Sequence, residues 1–95
     1  MRYLVVRHSG AIEWLSQQGL VVDEHIVHLN IDDIKQGDEV VGILPIKMIA
    51  KLCAKQAKYF HLDISVPAEL RGVELSAKLL DELGAKLTPY HVIEL

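Results

Sequence analysis

Apolar positions change their period along the chain, and each change marks a switch between strand and helix. Tyr3-Leu4-Val5-Val6 is a continuous, β-branched run, the pattern of a buried strand, and it stops at Arg7-His8-Ser9-Gly10. From Ala11 to Gln18 the spacing becomes helical, with Ala11, Trp14, Leu15 and Gln18 on one face and Gly19 placed to end the helix. His25-Ile26-Val27-His28-Leu29 predicts the body of a second strand. The polar stretch from Asn30 to Asp38 closes on Gly37-Asp38, a turn signal with room for one helical turn before it. Glu39 to Leu44 predicts a third strand closed by Pro45. Proline suits a first helical position, so a helix is expected from Ile46 to Ala57, with Ile46, Ile49, Ala50, Cys53 and Ala57 inward and Lys47, Lys51 and Lys55 outward. Tyr59 to Ile64 predicts a fourth strand and Ser65 to Glu74 a loop. Ser76 is a good cap for a third helix that turns Leu79, Leu80 and Leu83 inward and ends at Gly84. The segment from Lys86 to Leu95 contains Pro89, which admits an edge strand only.

This alternation predicts an α/β protein: a small Rossmann-like three-layer fold with a mostly parallel five-stranded sheet and about three helices. Residues 1–95 are expected to form one domain, since domains usually run to about 100–200 residues. The link between the second and third strands is short for a crossover carrying a full helix, so the pattern constrains that pairing least. Apolar residues make up 51% of the chain and charged ones 24%, which excludes a disordered or low-complexity chain. No apolar run approaches the ~20 residues that cross a bilayer. The amino-terminal segment lacks a signal-peptide apolar region and cleavage site, so a cytoplasmic protein is expected. A chain this short leaves much surface unburied, which makes a homodimer an expected state.

Charge narrows the partners. A net charge of −3 disfavours a grip on long nucleic acid through many phosphates, but a small anion needs only two or three donors. The single Cys53 excludes an intrachain disulfide and cysteine-rich zinc patterns, and its place on the inner helical stripe argues against a nucleophile. No GxGxxG or Walker A pattern occurs. In parallel sheets ligands collect outside the carboxyl ends of the strands. Two of the three arginines, Arg7 and Arg71, fall just past the expected ends of the first and fourth strands. Gly10 at the first helix start permits a close approach to backbone, and Leu44-Pro45-Ile46 opens the second helix at the same rim. Guanidinium forks beside helix starts suit phosphate recognition. An ordinary surface or ion-pair role for the two arginines is about as good an account. His8 is the candidate for proton transfer, with helix capping as its alternative. His25 and His28, three residues apart in an expected strand, face opposite ways and read as surface or packed residues. His61 and His91 read as structural strand residues, Asp32-Asp33 as a solvated turn, and the lysine row as a solvated face. No metal site and no cofactor are expected.

Longer segments carry a resemblance. Arg7-His8-Ser9-Gly10-Ala11-Ile12-Glu13-Trp14-Leu15 followed by Gln18-Gly19 resembles the opening signature of a small CRISPR-associated family found beside type III systems. The similarity continues through Gly37-Asp38, Gly42-Ile43-Leu44-Pro45, Tyr59-Phe60-His61-Leu62 and Pro67-Ala68-Glu69-Leu70-Arg71-Gly72-Val73-Glu74-Leu75-Ser76, nearly the whole chain. The resemblance implies a CARF-like ring nuclease that degrades cyclic oligoadenylate messengers, most commonly cyclic tetra-adenylate, as a homodimer. Position and residue type, rather than the resemblance, select His8, Arg7 and Ser9 as catalytic candidates. They also select Gly10, Ala11, Leu44, Pro45, Arg71, Gly72 and Glu74 as ligand-binding ones. A non-cleaving module that sequesters the ring, or a structural partner of a CRISPR effector, are the alternatives.

Overall fold

Strands form where the apolar runs require them, and they line up as one sheet. A computed structural model describes residues 1–6 and 9–95. Its strands are β1 (Arg2–Val5), β2 (Glu24–His25), β3 (Glu39–Gly42), β4 (Lys58–Asp63) and β5 (Lys86–Tyr90). Its helices are α1 (Ser9–Gln17), α2 (Ile46–Ala54) and α3 (Ala77–Glu82), with single 3-10 turns at Ile31–Asp33 and Ala68–Leu70. The strand order is β2-β1-β3-β4-β5; β1 to β4 are parallel and β5 runs antiparallel at the edge beside β4. The fold is therefore α/β, with a mixed, mostly parallel five-stranded sheet and three helices, as the alternation predicted.

Side chains alternate between two cores across the sheet. Tyr3, Val5, Val40 and Tyr59 pack with Ile49, Leu52 and Cys53 of α2 and with Ile34. Leu4, Val6, Val41 and Leu62 pack with Ala11, Trp14 and Leu15 of α1 and with Ala77 and Leu80 of α3. Trp14 Nε1 donates to Asp81 Oδ1 at 3.4 Å and joins the two helices of that layer. Ser76 caps α3 as expected, its Oγ accepting from the Leu79 N–H at 3.1 Å. Cys53 is buried, as its helical spacing required.

Several features differ from the pattern, among them Ile46, expected inward but exposed at the start of the second helix. The second strand stops at His25 instead of Leu29: its partner β1 is four residues long, and the register Tyr3↔Glu24, Leu4↔His25 leaves only the Ile26 N–H to reach the Leu4 carbonyl, at 2.8 Å. Residues 27–30 turn away instead, and Asn30 caps the Ile31–Asp33 turn by accepting from Asp32 N. The second helix ends at Ala54 because Gln56 takes φ 63°, a left-handed terminus in the absence of a glycine. Lys55 does not join a solvated face; its Nζ donates to the Ile31 carbonyl at 2.8 Å. His91 lies just beyond β5. Pro89 stands opposite Phe60 in the edge strand, where a missing N–H is tolerated.

Candidate functional site

The chain leaves β1 toward β2 on one side and returns to β3 on the other, so the direction of winding reverses between β1 and β3. A crevice at the carboxyl ends of the strands is the expected result of such a reversal. A cavity of about 1030 Å³ opens there, at the upper end of the usual range for small-molecule sites. Val5, Val6 and Ala11 form part of its floor. Residues 27–29 and 43–45 bound one side, and the loop from Val66 to Leu75 bounds the other. Gly42 sits at the reversal because a Cβ there would strike the Val5 carbonyl oxygen across the two strands.

The cavity brings together six of the residues selected from the sequence: Ala11, Leu44, Pro45, Arg71, Gly72 and Glu74. Arg71 follows the Ala68–Leu70 turn, where its N–H closes on the Ala68 carbonyl, and its side chain is exposed. Gly72 has φ +80°, a backbone state that other residues adopt only with strain. Pro45 starts α2 without a side-chain cap. Ser9 and Gly10 stand behind the lining. Ser9 Oγ donates to Glu74 Oε1 at 3.1 Å, which sets a carboxylate at the start of α1, the favourable end of the helix dipole. The open side of Gly10 is filled by the protein itself: a Cβ there would collide with the Leu75 carbonyl oxygen. The close approach expected at Gly10 is thus between two segments of this chain. Arg7 and His8 lie outside the described residues.

Sequence reasoning passed over the most organised polar group of the cavity. His61, read as a structural strand residue, lines it together with Asp63 and His28. Tyr59, His61 and Asp63 occupy alternate positions of β4 and so share the α2 face of the sheet. Beneath the cavity, Tyr59 Oη lies 2.6 Å from His61 Nδ1 and 3.0 Å from the Gly42 carbonyl, and it accepts the Leu44 N–H at 3.1 Å. Burial pushes the Tyr59 phenol up to about 12, while the Leu44 N–H works against that rise, so the hydroxyl keeps its proton. Asp63 is held below the usual carboxylate range by the Thr88 hydroxyl, with further help from the Tyr90 hydroxyl and the neighbouring His61 and Lys86. The residues carried only part of the signal, a histidine two positions after a tyrosine in an expected parallel strand; the contacts that organise the pair are tertiary.

Charge in the described part of the cavity is mixed, with Arg71 against Asp63 and Glu74. Arg71 alone does not offset those two carboxylates. Val6 lines the cavity, and Arg7 and His8 follow it in the chain.

The architecture defines a doubly wound α/β protein with a ligand-sized crevice at its winding reversal. Across residues 3–93 the chain matches the family described as "Putative CRISPR-associated protein (Cas_VVA1548)". The chain belongs to this CRISPR-associated family, which covers nearly its whole length. No curated protein matches it, and no solved structure does. Among the described residues, no helix is long and apolar enough to cross a membrane.

Proposed function

We propose that this CRISPR-associated protein is a ring nuclease that opens cyclic tetra-adenylate and so switches off type III antiviral signalling. The observation that carries the reading is the cavity at the carboxyl ends of β1, β3 and β4, lined by Arg71 and continuous with the residue that precedes Arg7-His8. Each ribose 2′-OH lies beside its own 3′ phosphodiester, so the substrate carries its nucleophile. The protein must align that oxygen with the departing 5′ oxygen and neutralise the charge that develops on phosphorus. Arg7 and Arg71 hold phosphates in this scheme, and His8 assists proton transfer. Ser9 is already bonded to Glu74, and it orients a phosphate or the 2′-OH only by exchanging that partner. The products are linear di-adenylates ending in 2′,3′-cyclic phosphate. The apolar side chains exposed about the cavity mouth, Val27, Ile43 and Val73, suit cover by a second copy of the chain across a two-fold axis.

The test is incubation of purified protein with labelled cyclic tetra-adenylate in EDTA, with cyclic hexa-adenylate alongside. Appearance of cyclic-phosphate-ended di-adenylate is the expected result. Intact ring at enzyme excess refutes the nuclease. A shifted but uncut ring then marks a sequestering module, and no binding at all marks a structural partner of an effector.

A further inference from the structure

The geometry points to His61 as the base that takes the 2′-OH proton, with Tyr59 as the positioning residue that sets its tautomer. This inference rests on the ring-nuclease reading and names a group that reading did not use.

Tyr59 Oη has one proton and two lone pairs, and three polar groups surround it. The Leu44 N–H occupies one lone pair at 3.1 Å. Of the other two neighbours, the Gly42 carbonyl at 3.0 Å can only accept. His61 Nδ1 at 2.6 Å donates or accepts according to its tautomer. Sending the phenol proton to Nδ1 would set two oxygen lone pairs against each other at Gly42. Sending it to the Gly42 carbonyl leaves Oη to accept from both Leu44 N–H and Nδ1–H, and every group is satisfied. The network therefore assigns the proton of neutral His61 to Nδ1. The lone pair then lies on Nε2, which meets no hydrogen-bond partner among the described residues, on a side chain that lines the cavity. The ring is also braced edge-on against Tyr90, with centroids 5.9 Å apart.

A neutral imidazole with Nδ1 tied back and Nε2 open is the form a general base takes. The O2′–H bond breaks and its proton passes to Nε2. O2′ bonds to phosphorus, the P–O5′ bond breaks, and O5′ takes a proton from water. The imidazolium returns its proton to water, so atoms and charge balance.

The experiment measures single-turnover cleavage and binding of cyclic tetra-adenylate by the parent protein, His61→Gln, His61→Ala and Tyr59→Phe, with ¹⁵N spectra of the parent imidazoles. His61→Gln is expected to bind the ring as the parent does and to cleave it roughly 100-fold more slowly or worse. Added imidazole restores part of the rate to His61→Ala. Tyr59→Phe lowers the rate about tenfold at unchanged affinity, within the range expected of a misplaced base. The parent spectrum shows His61 as the Nδ1–H tautomer, a readout that needs no variant to fold. A parent that cleaves alongside an equally active His61→Gln overturns the base role and leaves the nuclease standing. An Nε2–H tautomer overturns the part given to Tyr59. A parent that leaves the ring intact overturns both readings together.

Discussion

The two ends of the sheet use polar residues in opposite ways. At the amino end several charged groups are paired with one another or with backbone. Asp38 accepts from the Met1 amine at 3.0 Å and from the Lys35 N–H at 2.9 Å. Arg2 bridges Glu39 at 3.0 Å and reaches the Val21 carbonyl, while its own N–H donates to Asp23. At the carboxyl end the side chains of Arg71 and His28 stand open around the cavity, and apolar residues such as Val73 remain exposed. The backbone there is nevertheless tightly set, by Gly42 against Val5 and by Gly10 against Leu75. The contrast teaches that openness at this end belongs to the side chains and not to the scaffold. That combination is what a preformed site requires, because ordering a loose backbone on binding would cost affinity.

The sharpest way to break the contrast is Gly10→Ala. The added methyl has only backbone to push against, so destabilisation of about 2–3 kcal/mol is expected in denaturant unfolding. A variant as stable as the parent would show the carboxyl end to be soft. Asp38→Ala should cost about 2 kcal/mol, since it removes the acceptor of two hydrogen bonds at the paired end. Its pH signature is specific. The Lys35 N–H, and after it the Met1 amine, hold the Asp38 carboxyl below its ordinary value. The resulting stabilisation is full above the normal carboxylate range and fades as pH falls through it toward the lower native value. Unfolding curves of the parent should therefore lose stability on acidification more steeply than those of Asp38→Ala. Arg71→Ala tests the open end. Its unfolding midpoint should match the parent, while cyclic tetra-adenylate binds about tenfold more weakly, ~1.4 kcal/mol. Loss of stability without loss of binding would move Arg71 from ligand recognition to structure. The smallest effect is a gain: Gln56→Gly relieves a left-handed residue at the end of α2 and should stabilise the chain by about 0.5 kcal/mol.

Much of the fold was legible because local rules and global packing agreed. The helical stripe through Ile49 and Cys53, the cap at Ser76 and the edge placement of the Pro89 segment follow from spacing and from single-residue chemistry. The length of β2 was not legible. Apolar residues from Ile26 to Leu29 look like a strand, yet pairing needs a partner, and β1 ends too soon. The candidate site divides similarly. Arg71, Gly72 and Glu74 could be placed at the rim from the loop that carries them. His61 could not be told from a structural strand histidine without Leu44 and Gly42 brought over Tyr59.

By itself the sequence determined the alternation of strands and helices, part of the inward stripe of each helix, and the family to which the chain belongs. These depend on periodicity and on segments read in order along the chain. Tertiary structure alone decided where β2 stops, what fills the space beside Gly10, and which nitrogen of His61 carries the proton. Each of those depends on a partner distant in the chain: the end of β1, the Leu75 carbonyl, and the Gly42 carbonyl and Leu44 N–H that meet the Tyr59 hydroxyl.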